Sequence, residues 1–202
     1  MTLPSLPSHA PLAASSRLSA AAARLAASPA AETAVLAALG VSAALLTLFV
    51  DLDVHVPGHA ILRCVVPLAL GLALVPRRFA GTMMGTAALA AVLVGGTGGG
   101  APGWGSATSL VLTGPILDFA VRRARSGRAV YVALVAGGTA ANLTAFAVRL
   151  AAKVWTLDGG SPLALWWQRA LVTYTLCGVA AGLVSAVLWF RFGARGDGGA
   201  AR

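Results

Sequence analysis

The stretch that decides the fold is residues 60–95, which read AILRCVVPLALGLALVPRRFAGTMMGTAALAAVLVG. Two apolar runs flank the pair Arg77-Arg78, and Arg63 is the one charged side chain within them. At a rise of about 1.5 Å per helical residue, such runs come close to crossing a bilayer core of roughly 30 Å. The same order of apolar run and arginines recurs at Arg122-Arg123 and at Arg191. The sequence therefore predicts an integral membrane protein.

The composition agrees with lipid as the solvent. The chain has 202 residues, of which 58% are hydrophobic and only 10% are charged, and its mean hydropathy is +0.83. Soluble domains usually carry about 25% charged residues. In a soluble protein, a net charge of +9 would suggest nucleic-acid binding. Here the arginines lie between apolar runs rather than on one amphipathic face, so we expect no nucleic-acid partner.

We predict an all-α integral membrane protein, a compact bundle of six transmembrane helices. The predicted spans are residues 33–50, 60–75, 79–95, 106–121, 129–150 and 165–190. If the N-terminus lies inside the cell, the inner segments hold most of the 15 basic residues, all except Arg63, Arg149, Lys153 and Arg169. The positive-inside rule then predicts that both termini face the cytoplasm, N-in and C-in.

The segments outside the bundle are short. Residues 1–31 are rich in Ala, Ser and Pro and carry no acid, so we expect a flexible cytoplasmic tail, or alternatively a short surface helix at residues 16–27. Residues 32–192 form the six-helix domain, and residues 193–202 form a second cytoplasmic tail. Cys64 and Cys177 lie far apart in apolar spans, and we expect them to pack as small hydrophobic side chains.

The chemically varied side chains fall on the predicted outer face. The first outer loop contains Asp51, Asp53, His55 and His59, and imidazole and carboxylate groups are common ligands of nickel, cobalt and zinc. A Pro-Gly pair between the histidines predicts a turn that could bring both rings together. Three interpretations stay open: a wet interfacial loop, which is favoured, contacts to an organic substrate, and a metal site at His55 and His59.

Further polar candidates lie on the same side. Arg63 can extend to the interface, or it can point into the bundle and bind an anion, Asp51 or Asp53. Trp104 belongs to the Gly-rich loop 95–105, which lacks the phosphate-binding GxxxxGK[ST] order and reads as a lid or as a plain connector. The third outer loop is predicted to contain Arg149, Lys153, Trp166 and Arg169. The candidate substrate-binding residues are Asp51, Asp53, His55, His59, Arg63, Trp104 and Asn142.

The predicted inner side has fewer chemically varied side chains. Asp118 stands four residues before Arg122, which allows an i,i+4 ion pair. In the alternative, residues 113–118, TGPILD, break the helix and present Asp118 to a partner. The sequence carries no nucleotide motif and no catalytic constellation. We therefore expect a protein that is not an enzyme and that holds no cofactor.

Small residues recur at four-residue spacing on three spans. The stripes are Ala34-x-x-x-Ala38-x-x-x-Ser42, Gly81-x-x-x-Gly85 and Gly178-x-x-x-Gly182. In lipid, close backbone approach through small residues takes the place of hydrophobic attraction between helices. Most such stripes pack helices of one chain and a minority dock a partner subunit, so Ala34, Ala38 and Ser42 are candidates for docking.

These features resemble a known family. A chain of this length, with six short Ala/Gly/Val/Leu spans and a small-residue stripe on the first helix, is similar to the substrate-binding S component of an energy-coupling factor (ECF) transporter. Residues 68–85, LALGLALVPRRFAGTMMG, resemble the second-to-third helix region of that family. Residues 114–118, GPILD, resemble its fourth-helix region. The resemblance covers residues 32–192.

The resemblance implies a division of tasks among subunits. An S component binds its substrate between the outer loops and the outer helix halves. An AxxxA stripe on its first helix docks a transmembrane coupling subunit, and separate cytoplasmic subunits hydrolyse ATP. Ala34 and Ala38 match that stripe. The cobalt and nickel branch has a histidine at the extreme N-terminus of the mature chain, whereas His55 and His59 follow the first span, which weakens the metal interpretation.

We therefore expect a multi-pass subunit of an ECF-type uptake transporter in the bacterial inner membrane, capturing a vitamin-like small molecule from the outer face. The expected partners are this substrate, the coupling and ATPase subunits, and the lipid bilayer. The first alternative is a membrane scaffold or assembly protein with no ligand pocket. The second is a component of nickel or cobalt uptake.

Overall fold

The computed structural model describes residues 28–50, 57–75, 77–95, 104–124, 127–156 and 163–192. These residues form six α-helices and no β-strand. The predicted all-α fold class is confirmed, and each predicted span coincides with a helix. In chain order the helices are α1 (Pro29–Phe49), α2 (Ala60–Leu74), α3 (Ala80–Gly95), α4 (Trp104–Arg123), α5 (Gly127–Thr156) and α6 (Leu163–Phe192).

Helix length and apolar character indicate a membrane protein. The segments Pro29–Phe49, Gly127–Trp155 and Trp166–Phe192 are long and apolar enough to cross a membrane. The helices α2 and α3 are apolar but shorter. The helix α4 includes Ser, Thr, Gly, Pro and Asp residues, which make it more polar than the others. The six crossings and their direction are taken up below as part of a proposal.

The last two helices extend further than the sequence predicts. Each contains 30 residues, which corresponds to roughly 45 Å, against a bilayer core of roughly 30 Å. Lys153 therefore lies on α5, so its placement in a loop is wrong, whereas Arg149, Trp166 and Arg169 lie on helices within the predicted spans. A helix continues past the hydrocarbon where long charged and aromatic side chains meet the polar interface.

The helix α2 occupies a central position, because it packs against α1, α3, α4 and α6. Around it, α1 contacts α3, α3 contacts α4, α4 contacts α5, and α5 contacts α6. This position makes α2 a main source of core side chains, including Ile61, Val65, Leu68 and Leu72. Cys64 is buried among them, and Cys177 on α6 is half-buried.

Glycines set the closest approaches between helices. A Cβ added at Gly85 would lie 2.6 Å from the Val111 carbonyl oxygen, and one at Gly178 would lie 2.7 Å from the Thr139 Cα. Side chains do not tolerate such distances, so α3 packs onto α4, and α6 onto α5, through their glycine stripes. These two stripes act within the chain, as the sequence predicts for most of them.

The small-residue stripe of α1 faces the other way. Ala34 and Ala38 are exposed and Ser42 is half-buried. On the inward side of the same helix, Leu36 and Gly40 are buried. The two alanines therefore lie on the outer surface of the bundle and are not used for packing inside the chain.

The bundle has two ends, which we name after a central residue of each. At the Asn142 end, the end of α1 meets the start of α2, and the start of α4 meets α5, as shown by contacts of Thr47 with Arg63 and of Gly105 with Arg149. At the Arg122 end, the turn between α2 and α3 meets the start of α1 through Arg77 and the ends of α4 and α6. The predicted orientation makes the Asn142 end the outer one.

Candidate functional site

Asn142 joins three helices at the Asn142 end. Its side chain is fully buried on α5. The Nδ2 group donates to the Gly58 carbonyl oxygen at 3.1 Å and to the Tyr174 carbonyl oxygen at 2.7 Å. Because Gly58 precedes α2 and Tyr174 lies on α6, one amide connects α5 to both. The Asn142 Oδ1 atom accepts no hydrogen bond from the described residues.

The turn before α2 requires glycine for two reasons. Gly58 has a φ of +91°, in the left-handed region that side chains disfavour. A Cβ at this position would also lie 2.8 Å from the Tyr174 Cγ atom. The predicted Pro-Gly turn is confirmed at residues 57–59, and it places His59 at the N-terminus of α2.

His59 and Arg63 contact each other across one helical turn. The Arg63 Nη2 atom lies 2.9 Å from the His59 Nε2 atom, and because a guanidinium has no acceptor, the imidazole nitrogen accepts this hydrogen bond. The Arg63 Nη1 atom lies 3.4 Å from the Thr47 carbonyl oxygen at the end of α1. Half-buried Arg63 therefore contacts the end of α1, in line with the second of the two interpretations, in which it points into the bundle.

The structure brings together His59, Arg63 and Asn142, since Asn142 binds the carbonyl group that precedes His59. Asp51, Asp53 and His55 lie outside the described residues, as does the Trp104 side chain. The backbone at Trp104 begins α4, so this residue starts a helix rather than belonging to a loop. Substrate contact by the seven candidate residues stays a prediction.

An aromatic and cationic group of side chains lies next to these residues. It includes Phe146 and Tyr174, to which the sequence analysis assigns no role. The ring centroid of Phe146 on α5 lies 5.4 Å from that of Tyr174 and 6.4 Å from that of Trp166. The Lys153 Nζ atom lies 4.2 Å from the Trp166 centroid, and the Arg149 Nη1 atom lies 3.4 Å from the Tyr174 hydroxyl oxygen. The spacing of Phe146, Arg149 and Lys153 places them on one face of a helix, and this pattern could have predicted the group from the sequence.

Of the two histidines in the predicted metal site, only His59 lies among the described residues. Within the six described segments, no group of three or more His, Cys, Asp or Glu side chains could hold a metal ion. His59 contacts Arg63, and His55, its predicted companion, lies outside those segments. A metal site at His55 and His59 stays a prediction.

The Arg122 end contains the predicted i,i+4 ion pair. The Arg122 Nη2 atom lies 3.0 Å from the Asp118 Oδ2 atom, and Asp118 is buried. The helix α4 continues without interruption through Pro115, so the alternative in which residues 113–118 break the helix is wrong. The Arg122 guanidinium carbon also lies 4.4 Å from the Phe79 ring centroid. A cavity of about 520 Å³ adjoins these side chains.

Comparisons of the chain with protein-family models, with curated proteins and with solved structures found no match. The arrangement of the chain's own residues is therefore the basis of the functional proposal.

Proposed function

We propose that the chain is the substrate-binding S component of an ECF-type uptake transporter, crossing the bacterial inner membrane six times with both termini inside. The Asn142 end then faces outwards and captures a vitamin-like small molecule. The observation that carries this proposal is the gathering of His59, Arg63 and Asn142 at one end of an apolar bundle. Charged groups within membrane segments are costly, and they usually serve a function.

The chemistry at this end suits a ligand with an anionic group and a ring. Arg63 supplies guanidinium donors, which bind carboxylate and phosphate groups well. Half-buried Trp166 supplies an aromatic face nearby on α6, beside the buried Phe146 ring, and aromatic faces stack on planar ligands. The buried Asn142 Oδ1 atom adds an acceptor that no described residue uses.

The exposed stripe of α1 supports the docking part of the proposal. The glycine stripes of α3 and α6 already contact neighbouring helices of the chain, whereas Ala34 and Ala38 face outwards. Small exposed side chains allow the backbone of a partner helix to approach closely. A transmembrane coupling subunit is therefore the partner that we assign to this face of α1.

Ligand binding is tested by thermal unfolding of the detergent-purified full chain with B vitamins, their precursors, nickel and cobalt. A ligand at a hundred times its dissociation constant stabilises the folded state by about 2.7 kcal/mol, so one organic compound should raise the Tm. The variant Arg63→Ala should abolish the shift. The matched control Arg169→Ala, which removes an exposed arginine of α6, should retain it.

The outcomes separate the candidate functions. A shift that survives Arg63→Ala would contradict binding at His59, Arg63 and Asn142. A Tm shift with nickel or cobalt alone would indicate that the substrate is a metal ion rather than a vitamin-like molecule. No shift with any compound would favour a protein without a ligand site.

Docking is tested with Ala34→Leu and Ala38→Leu combined, which place two large side chains on the exposed stripe. The control combines Ala136→Leu and Ala140→Leu, which are exposed at the same spacing on α5. We expect the ATP-hydrolysing complex that co-purifies from native membranes to fall at least fivefold with the α1 variant only. Equal recovery with both double variants would contradict docking through α1.

A membrane scaffold or assembly protein is the second candidate, and the use of Asn142 favours it. Both hydrogen bonds of the Asn142 amide go to backbone carbonyls, so this group holds helices together whatever else it does. A scaffold would show no ligand-induced shift in Tm. A scaffold would also lose its partner in the α1 double variant. A lost partner without ATPase activity would indicate a scaffold, whereas a lost partner with ATPase activity would indicate an S component whose ligand was not among the compounds tested.

A further inference from the structure

The cavity at the Arg122 end combines positive charge with a concave, half-open shape. Its volume is about 520 Å³, within the range of roughly 300–1,000 Å³ that small-molecule sites occupy. The charged residues that line it are Arg77, Arg78, Arg122 and Asp118. Three guanidinium groups thus face one carboxylate, which gives the cavity a positive potential.

The arginines differ in how far other groups of the chain neutralise them. Arg122 pairs with Asp118 at 3.0 Å. The Arg77 Nη1 atom is 3.9 Å from the Glu32 Oε2 atom, a loose pair, and it donates to the Thr33 hydroxyl oxygen at 3.3 Å. Arg78 is exposed, and the described residues give it no hydrogen bond or ion pair. Arg77 and Arg78 therefore hold most of the donor capacity that an anion could use.

The remaining wall of the cavity is apolar. Leu72 and Val121 line it from α2 and α4, and Trp189 lines it from α6. Phe79 lies at its edge with a φ of 67°, and its ring contacts the Arg122 guanidinium. Strained backbone of this kind persists only where surrounding contacts hold it, and the Arg122 guanidinium is such a contact for the largely exposed Phe79 ring.

We propose that this cavity binds the phosphate headgroup of an anionic phospholipid from the surrounding leaflet. Arg77 and Arg78 bind the phosphate oxygens, and the apolar wall contacts the glycerol and the first methylene groups. Basic pockets between helices at the membrane surface are suited to such headgroups. The site lies at the opposite end from His59, Arg63 and Asn142, and it does not rest on the chain being an S component.

Two other occupants fit the cavity less well. Inorganic phosphate would use the arginines but would leave the wall formed by Leu72, Val121 and Trp189 in contact with water. A protein partner usually needs an interface above about 1,000 Å², whereas this recess has the dimensions of a single headgroup. A lipid alone uses the charge and the apolar wall together.

The test is native mass spectrometry of the detergent-purified full chain, titrated with phosphatidylglycerol, cardiolipin or phosphatidylcholine. We expect the anionic lipids to bind and phosphatidylcholine to bind at least tenfold more weakly. Arg77→Gln combined with Arg78→Gln should weaken anionic lipid binding about 25-fold, since each basic residue near an anionic surface raises affinity roughly fivefold. The control combines Arg128→Gln and Arg191→Gln, exposed arginines of α5 and α6 that make the same change in net charge.

Each contrary result overturns the proposal in a different way. Equal weakening in both double variants would mean unspecific attraction to the positive surface. Displacement of the lipid by millimolar inorganic phosphate would mean a site for free anions. Loss of a co-purifying protein with unchanged lipid binding would mean a protein-docking surface. If the double variant fails to fold, Arg78→Gln alone should still weaken lipid binding at least threefold against Arg128→Gln.

Discussion

The two ends of the bundle are held together by different physical means. At the Asn142 end, a buried neutral amide donates to carbonyl groups of two other chain segments, and aromatic rings fill the space between α5 and α6. At the Arg122 end, arginines pair with single carboxylates and surround a cavity. Buried hydrogen bonds to backbone fix helix positions, whereas partly exposed ion pairs contribute little to stability. We therefore expect the Asn142 end to tolerate substitution poorly.

Asn142→Leu should produce the largest effect. The variant removes two hydrogen bonds and leaves the Gly58 and Tyr174 carbonyl groups without that donor, so the free energy of unfolding should fall by about 3 kcal/mol. Thermal or denaturant unfolding in detergent measures it. The control is Thr144→Val on the same helix, where the hydroxyl donates only to the Ala140 carbonyl of its own helix. Equal stability of the two variants would show that the Asn142 hydrogen bonds do not hold this end of the bundle together.

Gly58→Ala should destabilise the fold by about 2 kcal/mol, because the left-handed φ and the contact with Tyr174 both oppose a Cβ. Gly127→Ala is the matched change at the Arg122 end. A Cβ there would meet Phe190 only at 3.9 Å, so its unfolding free energy should stay within about 0.5 kcal/mol. Unfolding curves of both variants in one detergent compare the ends directly.

Asp118→Asn should cost about 1 kcal/mol, because Arg122 loses its ion pair but is exposed enough to be solvated. The measurement is a double-mutant cycle with Arg122→Gln in thermal unfolding. A coupling energy above about 3 kcal/mol would show that this pair behaves as a buried one, and the ends would then not differ as described.

Arg78→Gln should have the smallest effect on stability, within about 0.5 kcal/mol of the parent chain. The side chain is exposed, and the described residues give it no ion pair. Unfolding without added lipid measures this, and the same variant should bind anionic lipid at least threefold more weakly, as expected from its place in the cavity. A large loss of stability without lipid would assign Arg78 to the fold rather than to the cavity.

Hydropathy and charge order predicted the positions of the helices, because an apolar run of sufficient length has few alternatives to a helix in lipid. They placed Lys153 in a loop, whereas α5 continues to Thr156, since helical turns continue where such side chains meet the interface. The pairing of Asp118 with Arg122 was predictable because it is local. The contact of Asn142 with Gly58 and Tyr174 was not, because it depends on the packing of α5 against two segments distant in sequence.

The helices also differ in length, and this has a consequence for the lipid. On the proposed six-span topology, α3 with 16 residues spans roughly 24 Å, whereas α5 with 30 residues spans roughly 45 Å. Leu93 and Val94 on α3 are exposed, so this short helix meets acyl chains directly. The bilayer must thin beside α3, because tilting would shorten the span of this helix further, and thinning costs a fraction of a kcal/mol per Å of mismatch. Membrane thickness therefore acts on the bundle, and a thinner bilayer relieves the mismatch at α3.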